Sequence, residues 1–309
     1  MKVPHTTNRR QFIRQAGIAA IPLLAIGSTP FSFDKEPAHA HSHRILTCNI
    51  RVALPEDDEK GFGWNARRDI CIDIIRQHQP DIIGFQEVIK PQMEDIKAAF
   101  SHFAAFGFEG PEMDAHPVGY HGIAKNPILF SKDRYEMLAA GEYWLSETPL
   151  QAGSISWNAA RARHANWVRL RDKKSGKDFR FINLHLDHKS QEARENQIKV
   201  VMEEAHQYAP AYPQILTGDF NSSAANTVYT IIKGYEWQDS YTVLHGPAEP
   251  GYTVHLFKGD QYEKKDTGKK IDFIFYHGEV QATEATIIRD HRHGIYPSDH
   301  YFVSATLTI

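Results

Sequence analysis

Asp81-Ile82-Ile83-Gly84-Phe85-Gln86-Glu87 is the stretch on which the reading of the fold turns. Its run of apolar and small residues has no polar alternation, the pattern of a strand covered on both faces, and it ends abruptly in an amide and a carboxylate. Immediately upstream, Pro80 closes a helix over residues 66–79, whose apolar positions Ile70, Ile74 and Ile75 follow helical spacing. Before that helix, residues 44–50 (RILTCNI) read as another strand. A strand, helix, strand unit places Asn49 and Glu87 near the ends of neighbouring strands. Further on, strands are expected at 127–131, 135–145, 164–171, 178–187, 213–217, 271–276, 280–288 and 301–308, with a long charged helix over 190–208. Hairpin and crossover connections are mixed throughout, and no repeat or linker divides the chain after residue 44. The expectation is one α/β domain over 41–309 with two stacked sheets and helices outside.

The composition supports a globular body. Hydrophobic residues make up 41% of the 309 and charged residues 24%, enough apolar surface to offset chain entropy. The net charge of −3 argues against a general polyanion binder. After residue 40 no 18-residue uncharged apolar run appears, so the body is not expected to span a membrane. Residues 1–40 read differently. Asn8-Arg9-Arg10-Gln11-Phe12-Ile13-Arg14 precedes an apolar run from Ala16 to Phe33 and then Ala38-His39-Ala40, the order of a cleaved secretory signal. The Arg9-Arg10 pair resembles the twin-arginine type, which implies the twin-arginine export machinery as a partner and a periplasmic or secreted location. Cleavage after Ala40 would expose His41-Ser42-His43, read as a solvated linker rather than a Cu or Ni chelate. Cys48 and Cys71 are too few for a disulfide scaffold and are expected to be free thiols.

Five short clusters carry the chemistry. In Asn183-Leu184-His185-Leu186-Asp187, a period of two puts Asn183, His185 and Asp187 on one face, where three polar groups are expected to line a cleft. Gly218-Asp219-Phe220-Asn221 repeats the pattern at the end of an apolar strand. Glu87 either caps the next segment or binds a cation. Asp272, embedded between Ile271 and Phe273, needs a polar partner, and Asp299-His300 supplies one, since a carboxylate-held imidazole is the usual form of an oriented base. Together, Asn49, Glu87, Asp219, Asn221, Asp272, Asp299 and His300 form an oxygen-rich set that suits Mg²⁺ or Mn²⁺ better than Zn²⁺. A hard cation beside an oriented histidine is the apparatus of phosphate-ester hydrolysis. There is neither a phosphate-binding Gly-rich loop for an NTPase nor a G-x-S-x-G elbow for a serine hydrolase.

In this order, Asn49, Gln86-Glu87, Asn183 to His188, Gly218 to Asn221, Ile271-Asp272-Phe273 and Ser298-Asp299-His300 resemble the endonuclease/exonuclease/phosphatase superfamily. Trp144 to Pro149 and the HLDH stretch further resemble a bacterial, often exported, subgroup. The resemblance implies a four-layer α/β sandwich of two stacked mixed β-sheets flanked by helices, and Mg²⁺-dependent phosphoester cleavage. It makes Glu87 the principal metal ligand with Asn49 beside it, and Asp299 a ligand directly or through water. By the same likeness Asp219 orients the attacking water, Asn221 and His185 hold phosphate oxygens, and Asp272 holds His300. The water's proton goes to Asp219 or to His300, and both count as catalytic. No clear counterpart appears to the tyrosine that DNA-repair members place near phosphate, although Tyr120 and His121 fall in that region. Arg161, Arg163 and His164 form a local basic cluster that either steers a phosphate or is solvated surface. Three functions compete: an exported phosphodiesterase or phosphatase acting on a small or lipid-derived phosphoester, a secreted nuclease, and a non-catalytic module. The intact acids and His300 disfavour the last, and the lack of a basic, aromatic-studded insertion places the first ahead of the nuclease.

Overall fold

A computed structural model describes residues 42–109, 125–248 and 251–309. The export segment, Tyr120 and His121 lie outside the described residues. The strands are β1 (Ser42–Asn49), β2 (Ile82–Gln86), β3 (Phe103–Phe106), β4 (Ile128–Ser131), β5 (Tyr135–Trp144) and β6 (His164–Asp172). They continue as β7 (Asp178–His185), β8 (Gln214–Asp219), β9 (Gln238–Asp239), β10 (Asp272–His277), β11 (Gln281–Ile288) and β12 (Phe302–Thr308). Two six-stranded sheets result, ordered β11-β12-β1-β2-β4-β3 and β5-β6-β7-β8-β10-β9. Each is mixed: β1 and β2 run parallel beside an antiparallel β12, and β7 and β8 run parallel beside an antiparallel β10.

Side-chain alternation builds the four expected layers. Leu46, Cys48, Ile83 and Phe85 point outward from the first sheet onto Ile70, Cys71, Ile74 and Ile75 of the helix Trp64–Gln77 and Met93 and Ile96 of the helix Lys90–Ala99. On the second sheet Ile182, Leu184, Leu216, Phe273 and Phe275 meet Ile198, Val201 and Met202 of the helix Gln191–Ala205 and Val228 and Ile232 of the helix Thr227–Gly234. Alternate residues of the same strands, among them Ile45, Ile82, Phe179, Phe181, Ile215, Ile274 and Val303, fill the space between the sheets. Cys48 and Cys71 are buried free thiols, as expected.

That inner face changes character along its length. Apolar at one end, it turns polar towards the ends of the parallel strands, where Thr47, Asn49, Gln86, Asn183, His185, Thr217, Asp219 and Asp272 are all buried. Asn183 crosses the gap. Its Nδ2 donates to Phe85 O (2.7 Å) and Asn126 O (3.0 Å), while its Oδ1 accepts from Gln86 Nε2 (2.7 Å) and Thr217 Oγ1 (3.0 Å). The sheets come so close here that a Cβ on Gly84 would lie 2.5 Å from Thr217 Oγ1 and 2.6 Å from Asn183 Oδ1. Only glycine fits at that approach.

The structure corrects several expectations. Asn183 and Asp187 do not line a cleft. Asn183 is consumed between the sheets, and β7 ends at His185, so the period of two does not reach Asp187. Asp187 instead accepts from the backbone N–H of Ala160, Lys189 and Ser190, fixing the turn that leads into the helix Gln191–Ala205. Ser42 and His43 belong to β1 rather than to a linker, and the His43 ring is buried with Nδ1 2.7 Å from Tyr135 Oη. Among the described residues no helix is long and apolar enough to cross a membrane. Replacing Asn183 by Leu would orphan buried carbonyls and amides on both sheets. We expect a loss of about 3 kcal/mol in urea unfolding, each unsatisfied buried group costing roughly 1–3 kcal/mol; a loss below about 0.5 kcal/mol would show that the amide does not join the sheets.

Candidate active site

Asn49, Glu87, His185, Asp219, Asn221, Asp272, Asp299 and His300, the eight residues given metal or catalytic roles from the sequence, converge at the polar end of the sandwich. Parallel pairing sets Asn49 opposite Gln86 and His185 opposite Asp219, and antiparallel pairing sets Asp272 opposite Asp219. Asn49 Nδ2 bridges the sheets, donating to Glu87 Oε1 (3.1 Å) and to Asp219 Oδ2 (3.0 Å). Glu87 does not cap the helix that follows it. Its Oε2 accepts from the N–H of Val52 at 2.9 Å, so the carboxylate turns back towards the end of β1. His300 approaches from the segment before β12, with Nδ1 3.0 Å from Asp272 Oδ2 and Nε2 4.0 Å from Asp219 Oδ2. Asn221 donates its backbone N–H to Asp219 Oδ1 (2.8 Å) and its amide to Leu186 O (3.0 Å), with Nδ2 3.0 Å from His185 Nε2.

Three residues of this constellation adopt left-handed backbone: Arg51 (φ 56°), Glu87 (φ 64°) and Asn221 (φ 48°). For a non-glycine residue that costs on the order of 1–3 kcal/mol and persists only where surrounding contacts enforce it. Here they do. Arg51 O accepts from Arg67 Nη2 (2.7 Å) and Gln92 Nε2 (2.9 Å), while Glu87 and Asn221 are pinned by the bonds just described.

The resulting cavity has a volume of about 300 Å³. Glu87, Asp219, Asp299, His185, Asn221 and His300 line it, together with Arg51, Arg161, Arg163 and His188. Arg51 escaped sequence reasoning, its signal being its place two residues after Asn49; His188 fell within the Asn183 to His188 stretch but was given no role. Arg51 lies with Nη1 3.6 Å from Asp299 Oδ2 and Nε 2.8 Å from Asp57 Oδ2. Of the basic cluster only Arg161 and Arg163 reach the cavity. His164 is buried, and burial, helped by Lys125 and Arg163, brings it down to about 3, so it carries no charge there.

The electrostatics separate the acids. Burial, then repulsion from Asp272, pushes Asp219 up to about 7. Burial also works against Glu87, but the Val52 N–H, His300, Asn49 and Arg51 outweigh it and hold that carboxyl below its ordinary value. Asp299 is raised, by burial first and by Glu87. His185 is driven well below the ordinary histidine value by burial and by Arg163. For His300, burial disfavours the charged ring, yet Asp272, through charge and hydrogen bond, with Asp299 and Asp219, raises it well above that value. The site therefore holds one protonated imidazole among four acids.

The donor set fits a divalent ion. Asp219, Asp272 and His300 offer ligand atoms within 4.8 Å of one another, and Asp272 Oδ1 is buried without a hydrogen-bond partner. Because the His300 ring is protonated against Asp272, the oxygens are the better donors, and hard oxygen ligands favour Mg²⁺ or Mn²⁺ in kind.

A buried mixed-sheet sandwich with this acid and histidine cluster supports metal-assisted phosphoesterase or nuclease chemistry in general, and the chain matches the model of the Endonuclease/Exonuclease/phosphatase family over residues 46–300; it belongs to that family. An endonuclease/exonuclease/phosphatase from Bacteroides vulgatus superposes with a TM-score of 0.76 at 30% identity, covering 87% of this chain and 99% of that one. A mannosyl-6-phosphatase from Bacteroides thetaiotaomicron gives 0.75 at 26% identity, over 86% of this chain and 100% of the other. Nocturnin of Drosophila melanogaster is 23% identical over 279 residues, 78% of this chain; the chain spans only 41% of the fly protein's length.

The Asp272–His300 pair gives a test by titration. The His300 ring should stay protonated through neutral pH in chelator-treated protein, and Asp272→Asn should bring its midpoint down towards or below the unfolded value of about 6.5. Because the folded value is raised, the pair's contribution to stability is complete below about pH 6.5 and is lost as pH rises through the folded value. Ring-proton NMR reads both, and an unchanged midpoint in Asp272→Asn would remove Asp272 as the cause.

Proposed function

We propose that the protein is an exported, Mg²⁺-dependent phosphoester hydrolase acting on a small phosphate ester, with Mn²⁺ as a competent substitute. The observation that carries this reading is the mixed lining of the cavity: the carboxylates Glu87, Asp219 and Asp299 and the guanidinium groups of Arg51, Arg161 and Arg163 share a space of about 300 Å³. Such a pocket matches a compact anion that meets both a carboxylate-held cation and guanidinium groups. Support for a small substrate also comes from the likeness to the Bacteroides mannosyl-6-phosphatase, which makes a sugar phosphate the first substrate class to try.

In this reading Glu87 and Asn49 would hold the cation, with Asp299 completing its shell, leaving the adjoining Asp219, Asp272 and His300 cluster for the water and the phosphate. When bound, the cation neutralises phosphate charge as the ester is attacked. Asp219 orients the attacking water and takes its proton. His300, held by Asp272 and already protonated, presents Nε2 as a donor to a phosphate oxygen, the role complementary to a base. Asn221 and His185 hold further phosphate oxygens; His185 can donate there only with its proton on Nε2.

Purified chain should release phosphate from mannose 6-phosphate or a comparable small ester with Mg²⁺ or Mn²⁺ and not with chelator. Faster cleavage of DNA or RNA than of any small ester or sphingomyelin would replace this reading with the nuclease one. Within the site, Glu87→Gln should raise the metal concentration needed for activity, whereas Asp219→Asn should cut turnover roughly 10²-fold or more at saturating metal. Equal metal dependence in the two variants would refute this division of roles.

Export rests on the Asn8 to Arg14 segment ahead of the apolar run and Ala38-His39-Ala40. We expect the Arg9→Lys, Arg10→Lys double variant to accumulate as precursor in the cytoplasm, because the twin-arginine machinery reads the pair. Undiminished periplasmic or secreted product on immunoblot would contradict it.

A further inference from the structure

Arg67 is fully buried on the helix Trp64–Gln77, and its four hydrogen bonds all go to backbone carbonyls. Nε donates to Phe62 O at 2.9 Å, Nη1 to Ile50 O and to Pro297 O (3.1 Å), and Nη2 to Arg51 O at 2.7 Å. The guanidinium also lies 5.2 Å from the Trp64 ring centroid and 5.6 Å from that of Phe257. Burying a charge without a carboxylate among its hydrogen-bond partners is costly, so the arrangement calls for a reason.

The reason lies in where the sheet stops. Pairing between β1 and β12 ends at Thr47 opposite Val303. Asn49 lies two residues past that rung on one strand, and Asp299 and His300 precede it on the other, so no ladder fixes their separation. Arg67 takes over there, joining the carbonyls of Ile50 and Arg51 to that of Pro297, two residues before Asp299.

We infer that Arg67 is a positioning residue, setting the distance between the Asn49 to Arg51 segment and the Asp299-His300 segment and thereby the affinity of the site for its cation. The inference rests on the proposed placing of the cation at Glu87, Asn49 and Asp299. The planar fork spreads its donors over three nitrogens and so meets all four carbonyls at once; a lysine, with three donors on one nitrogen, cannot match that span. Arg67 also holds Arg51 in its left-handed backbone, which keeps the Arg51 side chain beside Asp299.

The test is Mn²⁺ binding to the full chain, read by calorimetry and by the EPR signal of free Mn²⁺, for wild type, Arg67→Lys and Arg67→Ala. Circular dichroism confirms the fold of each. We expect both variants to bind Mn²⁺ at least tenfold more weakly, and millimolar guanidinium to restore much of the affinity of Arg67→Ala but not of Arg67→Lys, whose side chain fills the space. A purely structural role would lower thermal stability without moving the Mn²⁺ affinity of the folded protein. Unchanged affinity in either folded variant overturns the inference, and so does failure of both to fold, which would make Arg67 a requirement for folding instead. Wild type that binds no Mn²⁺ overturns the metal reading itself, a result distinguishable from the others.

Discussion

The Asn183 amide, buried between two sheets, is the interaction on which the rest depends. A β-sandwich closes most easily when its inner faces are wholly apolar. Here one end of that interior is given over to polar side chains, tolerable only if each finds a partner in a nearly dry space. Asn183 meets both sheets with one side chain, and glycine at position 84 leaves out a Cβ that would stand in its way. With the sheets fixed at that point, Asn49 can reach both Glu87 and Asp219, and carboxylates from opposite sheets come to share one cavity.

What the sequence disclosed follows from what local pattern can encode. Strands β1, β2, β7, β8, β10 and β12 were legible because apolar runs were bordered by conspicuous polar residues, after the first four and before the last two, and most of those residues were the site. Acids such as Asp272 stood out for the same reason: a carboxylate amid Ile and Phe has an evident cost. The helices Pro55–Glu59 and Lys90–Ala99 went unread, the first being a single acidic turn and the second carrying an apolar face only at Met93 and Ile96. Asn183 and His185 looked alike by period, yet one joins the sheets and the other lines the cavity. That difference arises from what lies opposite at each rung, β2 at Asn183 but the cavity at His185 on the strand's last rung, which no strand states about itself. Arg67 was invisible, because its partners are carbonyls, and carbonyls carry no residue identity.

Strain and charge are concentrated where the ladder bonds give out. Arg51, Glu87 and Asn221 all lie just beyond strand ends, where the backbone must turn left-handed to aim a side chain inward. Rigidity at such points comes from single buried groups rather than from repeated pairing: Arg67 and Gln92 at Arg51, Val52 at Glu87, Asp219 at Asn221. A site built in this way can be reshaped by one substitution without disturbing the sheets beneath it.

The placing of β12 has a consequence in time. It runs between β11 and β1, so Phe302–Thr308 slots beside the first described strand, with His300 just ahead of it. Pairing across almost the whole chain is entropically late and slow. The second sheet and much of the helical covering can form while Asp299 and His300, two of the eight site residues, are still out of place. Assembly of the site thus waits on the pairing that spans the greatest stretch of described chain, a dependence written into strand order.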